Sequence, residues 1–95
     1  MSLQEQINAY CVNHKLRLAE KRVIVADQLL DSDEFTDGDT LWRVMRSRGI
    51  KISPATVYES LNWLVNAGFA ERRFSVDSRK NLFGIPAPVR HSLHS

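Results

Sequence analysis

A chain of 95 residues, 43% hydrophobic and 25% charged, allows one domain with a single core and leaves little room for a deep enclosed active site. There is no apolar run near the ~18 residues that a membrane span needs, no basic stretch leading into an apolar one at the start, and one cysteine, Cys11, without an internal partner. These features predict a cytoplasmic protein with no membrane association, secretion signal or disulfide. The net charge of +2 divides unevenly: residues 1–39 hold four basic and eight acidic side chains (−4), residues 40–95 nine and three (+6), and this asymmetry suits an anionic partner.

The first predicted helix runs over residues 2–14. Leu3, Ile7, Tyr10, Cys11 and His14 recur at helical spacing, and Ser2 with Glu5 forms a capping box. A second follows over about 19–30, with Val23, Ala26 and Leu30 on a stripe widened by Ile24 and Leu29; Lys15, Arg17, Lys21 and Arg22 crowd its start, against the helix dipole. The polar run Asp31-Ser32-Asp33-Glu34 reads as a loop. Thr36 is the expected N-cap of a third helix through Leu41, Val44, Met45 and Arg48, which Gly49 ends. The fourth helix, 54–67, has the clearest start: Ser53 as N-cap, Pro54 at the first helical position, and Gly68 as terminator. Val57, Leu61, Leu64 and Val65 fall on one narrow arc and form its inner face. Beyond Gly68 the period changes to two, predicting strands over 69–74 and 80–85 with a basic turn between them. Residues 86–95 contain two prolines and are expected to form an extended or disordered tail.

This order predicts a mainly α domain over 1–85 with a small β-hairpin, a winged helix-turn-helix of three or four helices and a two-stranded wing. Such a domain suits double-stranded DNA, because a helix with one side docked and one side free can enter the major groove. On the free side of 54–67 stand Ala55, Thr56, Tyr58, Glu59 and Asn62. Asn62 can bond adenine through both amide atoms, while Tyr58 and the Thr56 methyl can touch thymine methyl groups. Amide donors near Ser53 can hold a phosphate. Arg43, Arg46, Arg48, Lys51, Arg72, Arg73, Arg79 and Lys80 surround the helix and can neutralise backbone phosphates; a merely solvated face is the alternative.

The stretch Ile52-Ser53-Pro54-Ala55-Thr56-Val57-Tyr58, with the later Leu61-Asn62-Trp63-Leu64 and Ala67-Gly68, resembles the recognition region of the ferric uptake regulator (Fur) family. Upstream, Leu16-Arg17-Leu18-Ala19-Glu20-Lys21-Arg22 is similar to that family's Leu-Arg-Leu-Thr-Pro-Gln-Arg segment, and 36–48 to its Ser-Ala-Glu-Glu-Leu-Tyr helix; the likeness covers roughly residues 15–85. It implies a transcriptional regulator in which Tyr58 contacts bases and Arg17 reaches the minor groove. Two positions depart from the pattern. Glu59 stands where the family usually has arginine, and phosphate repels a carboxylate there unless it accepts from a cytosine amino group or pairs within the protein. Ala19-Glu20 replaces Thr-Pro, removing a capping pair. The family's second domain, with its metal sites and dimer interface, is expected to be lacking, so metal sensing and the usual dimerisation are not carried over.

Other chemistries find less support. His91 and His94 lack the two further ligands of a zinc site, Cys11 with His14 reads as a core cysteine beside a partly buried histidine, and Asp27, Asp31, Asp33 and Glu34 do not follow calcium-loop spacing. No catalytic residue, metal, cofactor or small-molecule substrate is therefore assigned, and no enzyme is expected. Trp63, on the flank of the fourth helix, is the better interface candidate of the two tryptophans. The rival reading is a winged-helix module for protein interaction or dimerisation, without DNA binding; a homodimer through the first helix or the tail is a further expectation.

Overall fold

A computed structural model describes residues 2–17 and 19–92. Ser2 caps α1 (Leu3–Asn13), its hydroxyl accepting from the Glu5 amide at 3.1 Å. α2 spans Glu20–Asp31 and starts at Ala19 without any side-chain cap, as expected where a capping pair is absent. α3 covers Gly38–Ser47 and α4 Pro54–Ala67, and β1 (Glu71–Ser75) pairs antiparallel with β2 (Lys80–Gly84) from Glu71↔Gly84 to Ser75↔Lys80. The winged helix-turn-helix is thus present, with each predicted strand starting or ending one to two residues from its expected place.

Two expectations are corrected. Thr36 does not cap α3. Its backbone pairs with Phe83 in both directions, Thr36 N–H to Phe83 carbonyl at 3.0 Å and the reverse at 2.7 Å, which adds a one-residue rung to the wing. The cap moves to Asp37, whose carboxylate accepts from the Thr40 amide at 3.2 Å and the Thr40 hydroxyl at 2.6 Å. Burial raises the Asp37 pKa, but the Thr40 hydrogen bonds and the charge of Lys80 outweigh it and hold the carboxyl below its ordinary value. Residues 87–92 of the tail, expected extended or disordered, form α5 (Ala87–Ser92), while residues 93–95 lie outside the described residues. Arg90 anchors it by donating to the carbonyls of Ile85 (3.2 Å), Leu30 (3.1 Å) and Ser32 (2.8 Å).

The core lies between α1, α2, α3 and α4, closed from below by Phe69, Ala70, Phe83 and Ile85. Val57, Leu61 and Leu64 are fully buried, as their arc requires, and Val65 sits at the edge. On α2 the buried set shifts to Val23, Val25, Ala26 and Leu29, leaving Ile24 and Leu30 half-buried. On α3, Leu41 and Met45 face inward whereas Val44 is exposed. Gly68 closes α4 in a left-handed conformation, φ 88°, which a side chain would strain.

Candidate nucleic-acid interface

Burial of one side of α4 fixes what the other side shows. Ser53 caps the helix by accepting from the Thr56 amide at 3.2 Å, and the two hydroxyls lie 2.8 Å apart. Thr56 is therefore turned back on the cap and half-buried, while Ala55 is exposed beside it. Tyr58 is 38% exposed. One face of its ring rests over Gly38 in the first turn of α3, where an added Cβ would lie 2.6 Å from ring atoms Cε1 and Cζ. Burial, followed by the charge and the hydrogen-bonding carboxylate of Asp39, pushes the Tyr58 hydroxyl above its ordinary pKa, so it remains a donor through the neutral range.

Glu59 and Asn62 lie farther along the same exposed side. Glu59 is 74% exposed, 3.9 Å from the guanidinium of Arg22 on α2, which itself lies 4.7 Å above the Trp63 ring. Asn62 accepts through Oδ1 from Arg72 of β1. Arg72, expected to bind phosphate, thus bridges the wing to α4, with its guanidinium also 5.6 Å from the Phe83 ring. Arg79, in a left-handed conformation at the wing turn (φ 55°), and Lys80 are both exposed. A cleft of about 210 Å³ between the start of α3, the middle of α4 and the wing is lined by Asp37, Asp39, Tyr58, Lys80 and Asn81. Arg17 is exposed in the connection between α1 and α2, on a different element from the α4 and wing residues.

The wider basic set splits. Arg46 lies over the Trp42 ring, Arg48 reaches Asp31 at 3.6 Å and Gln28 at 2.7 Å, and Arg73 bonds Glu71 at 3.0 Å and covers Phe35. Arg43 and Lys51 are exposed. Trp63, the interface candidate, is half-buried: it packs edge-on to Tyr10 at 5.6 Å and alongside Phe69 at 6.5 Å. Cys11 is buried as expected, but His14 is exposed, its ring 4.2 Å from that of Tyr10. The side chain of His91 and all of His94 lie outside the described residues. Among those described, no three His, Cys, Asp or Glu side chains gather closely enough to hold a metal ion, and no helix is long and apolar enough to cross a membrane.

Sequence reasoning missed Gly38 and Asp39 as the seat of Tyr58, and Arg22 as the partner of Glu59. Asp37-Gly38-Asp39 follow Thr36 as an ordinary helix start, and nothing local to Arg22 pointed to Glu59.

The model of the ferric uptake regulator family matches residues 13–94. The ferric uptake regulation protein of Rhizobium leguminosarum bv. viciae is 30% identical over 76 residues, covering 80% of this chain and 54% of that protein. The peroxide-sensing regulator PerR of Streptococcus pyogenes superposes with a TM-score of 0.78 at 21% identity, over 90% of this chain and 58% of the other. The ferric uptake regulator of Vibrio cholerae, in which DNA-binding domains rearrange, gives 0.70 at 22%, over 84% and 61%. At those identities the two structures establish the fold, and this chain spans little more than half the length of the proteins it matches.

Proposed function

The chain belongs to the ferric uptake regulator family, whose members are DNA-binding transcription regulators, and from that premise we propose that it supplies the DNA-reading part of such a regulator. α4 enters the major groove, with Tyr58, Glu59 and Asn62 toward the base edges and Ala55 and Thr56 at the entering end. Arg72, Arg79 and Lys80 of the wing, Arg17 ahead of α2 and the amides above Ser53 meet phosphates and grooves on either side. The observation that carries this reading is the division of α4: Val57, Leu61 and Leu64 are sealed inside, while Tyr58 and Asn62 remain on the outer surface beside a basic wing. The role is non-enzymatic and cytoplasmic, and a homodimer would double the site into a palindrome.

The experiment is a fluorescence-anisotropy titration of duplexes selected from a random pool, at two salt concentrations. Affinity falling steeply with salt supports the reading. Tyr58→Ala is expected to weaken the selected duplex by roughly tenfold while leaving random duplex almost unchanged. Equal binding of the selected duplex by both proteins refutes the assignment of Tyr58. A second reading, a protein-binding or dimerising module, is favoured by the three carboxylates Asp37, Asp39 and Glu59 around Tyr58. It predicts no duplex binding even at low salt, with self-association or a protein partner instead.

A further inference from the structure

We propose that Glu59 and Asn62 act as a pair that selects a guanine–cytosine base pair; the proposal rests on the reading of α4 as a groove-facing helix. The argument begins with Arg72. A guanidinium carries donors only, so the amide atom facing it must be the Asn62 oxygen. The Arg72 contact thereby orients the amide with Oδ1 toward the wing and the Nδ2 donors away from it. Glu59 precedes Asn62 by three positions, which on a helix sets their Cβ atoms about 5–6 Å apart on one face. Its carboxylate is an acceptor only, and at 74% exposure it is open to an incoming donor. Arg22, at 3.9 Å, offsets part of the repulsion between this carboxylate and the phosphates, and an exposed pair at that distance yields readily to a better partner. The outer side of α4 therefore offers a donor next to an acceptor.

Both base pairs show donors and acceptors in the major groove, but in different order. The adenine amino group lies between two acceptors, its own N7 and thymine O4, and both repel a carboxylate that approaches it. The cytosine amino group has an acceptor, guanine O6, on one side only, and that acceptor is the natural target of the Asn62 Nδ2 donors. Guanine O6 and cytosine N4 are hydrogen-bonded to each other and so lie about 2.9 Å apart, a span that two converging side chains can cover. Glu59 accepts from cytosine N4 and Asn62 donates to guanine O6 or N7. Adenine is disfavoured at this position even though asparagine is its usual partner.

Duplexes retained by the 95-residue chain from a random pool are sequenced, and the preferred one is titrated by anisotropy against wild type and Glu59→Ala. The expected site contains a fixed guanine–cytosine pair. Changing it to adenine–thymine, or methylating cytosine N4 to remove the groove-facing hydrogen, weakens wild-type binding by roughly tenfold. Glu59→Ala, an exposed position whose unchanged melting curve reports an intact fold, binds the three duplexes alike. Retained duplexes with adenine at the position, or a Glu59→Ala protein that keeps the guanine–cytosine preference, overturn the pairing while leaving groove binding intact. Failure to retain any duplex overturns the groove reading itself, and this inference with it.

Discussion

Gly38→Ala perturbs the seat of Tyr58 without altering any side chain for which a DNA contact is proposed. Gly38 is buried in the first turn of α3 and lacks a positive φ, so alanine suits its backbone and would by propensity alone stabilise the helix by up to about 1 kcal/mol. The new methyl carbon, however, would stand 2.6 Å from Cε1 and Cζ of Tyr58, well inside an ordinary carbon–carbon contact of about 3.5–4.0 Å. Overpacking costs typically about 1–3 kcal/mol. A cost near the middle of that range, set against the propensity gain, leaves a net loss of about 1 kcal/mol, or a fall in Tm of about 4–8 °C for a domain of this size. The half-open ring relieves the clash by swinging away from α3 and from the Asp39 carboxylate. Thermal unfolding by circular dichroism reads the first effect, and anisotropy on selected against random duplex reads the second, expected as a loss of roughly tenfold for the selected duplex alone. Gly49→Ala is the control. At φ 80°, with no atom beyond its chain neighbours within 4 Å of the added methyl, it costs about 1–2 kcal/mol through backbone strain and leaves DNA affinity unchanged. If Gly38→Ala matches wild type in both Tm and selected-duplex affinity, the packing of Tyr58 on α3 does not position it.

Three other perturbations have definite expectations. Leu61→Ala empties a fully buried position between α4 and its neighbours and should cost about 2–5 kcal/mol, read by urea unfolding; a loss well below that range would place Leu61 outside the core. Arg79→Ala should lower the slope of log affinity against log salt by about 0.9 and weaken all duplexes alike, whereas an unchanged slope would remove Arg79 from the phosphate contacts. Burial and the like charge of Asp31 raise the Asp27 pKa, so the folded state favours the protonated acid and loses stability as pH rises through the carboxylate range. Asp27→Asn should therefore raise Tm at pH 7 and lose that advantage below about pH 4, where Asp27 is protonated in the folded and the unfolded chain alike; equal Tm values at pH 7 would refute the repulsion.

What the sequence made legible was chemistry held within a few residues. The start of α4 could be read because Ser53, Pro54 and Thr56 satisfy the helix end locally, and its stop because Gly68 has the conformational freedom that the turn needs. The inner face of α4 followed from its arc. The features that escaped depend on partners distant in the chain. Thr36 looked like a cap until Phe83 claimed its backbone, and the prolines after β2 suggested an open tail, although Arg90 reaches back to Leu30 and Ser32 and holds a helical turn there. Asn62 read as a free amide because nothing near it in sequence foretells Arg72. Trp63 read as an interface candidate from its place on the flank of the helix, but Tyr10 arrives from α1 to pack edge-on against it.

The single rung between Thr36 and Phe83 has a mechanical meaning. It staples the root of the hairpin to the entry of α3, the helix on which Tyr58 rests, and so sets the gap between the wing and the outer side of α4 as fixed caliper jaws do. If α4 and the wing both meet a duplex, as proposed, that duplex would have to bring its own groove width to this gauge, and sequences that resist the adjustment would be rejected through their stiffness.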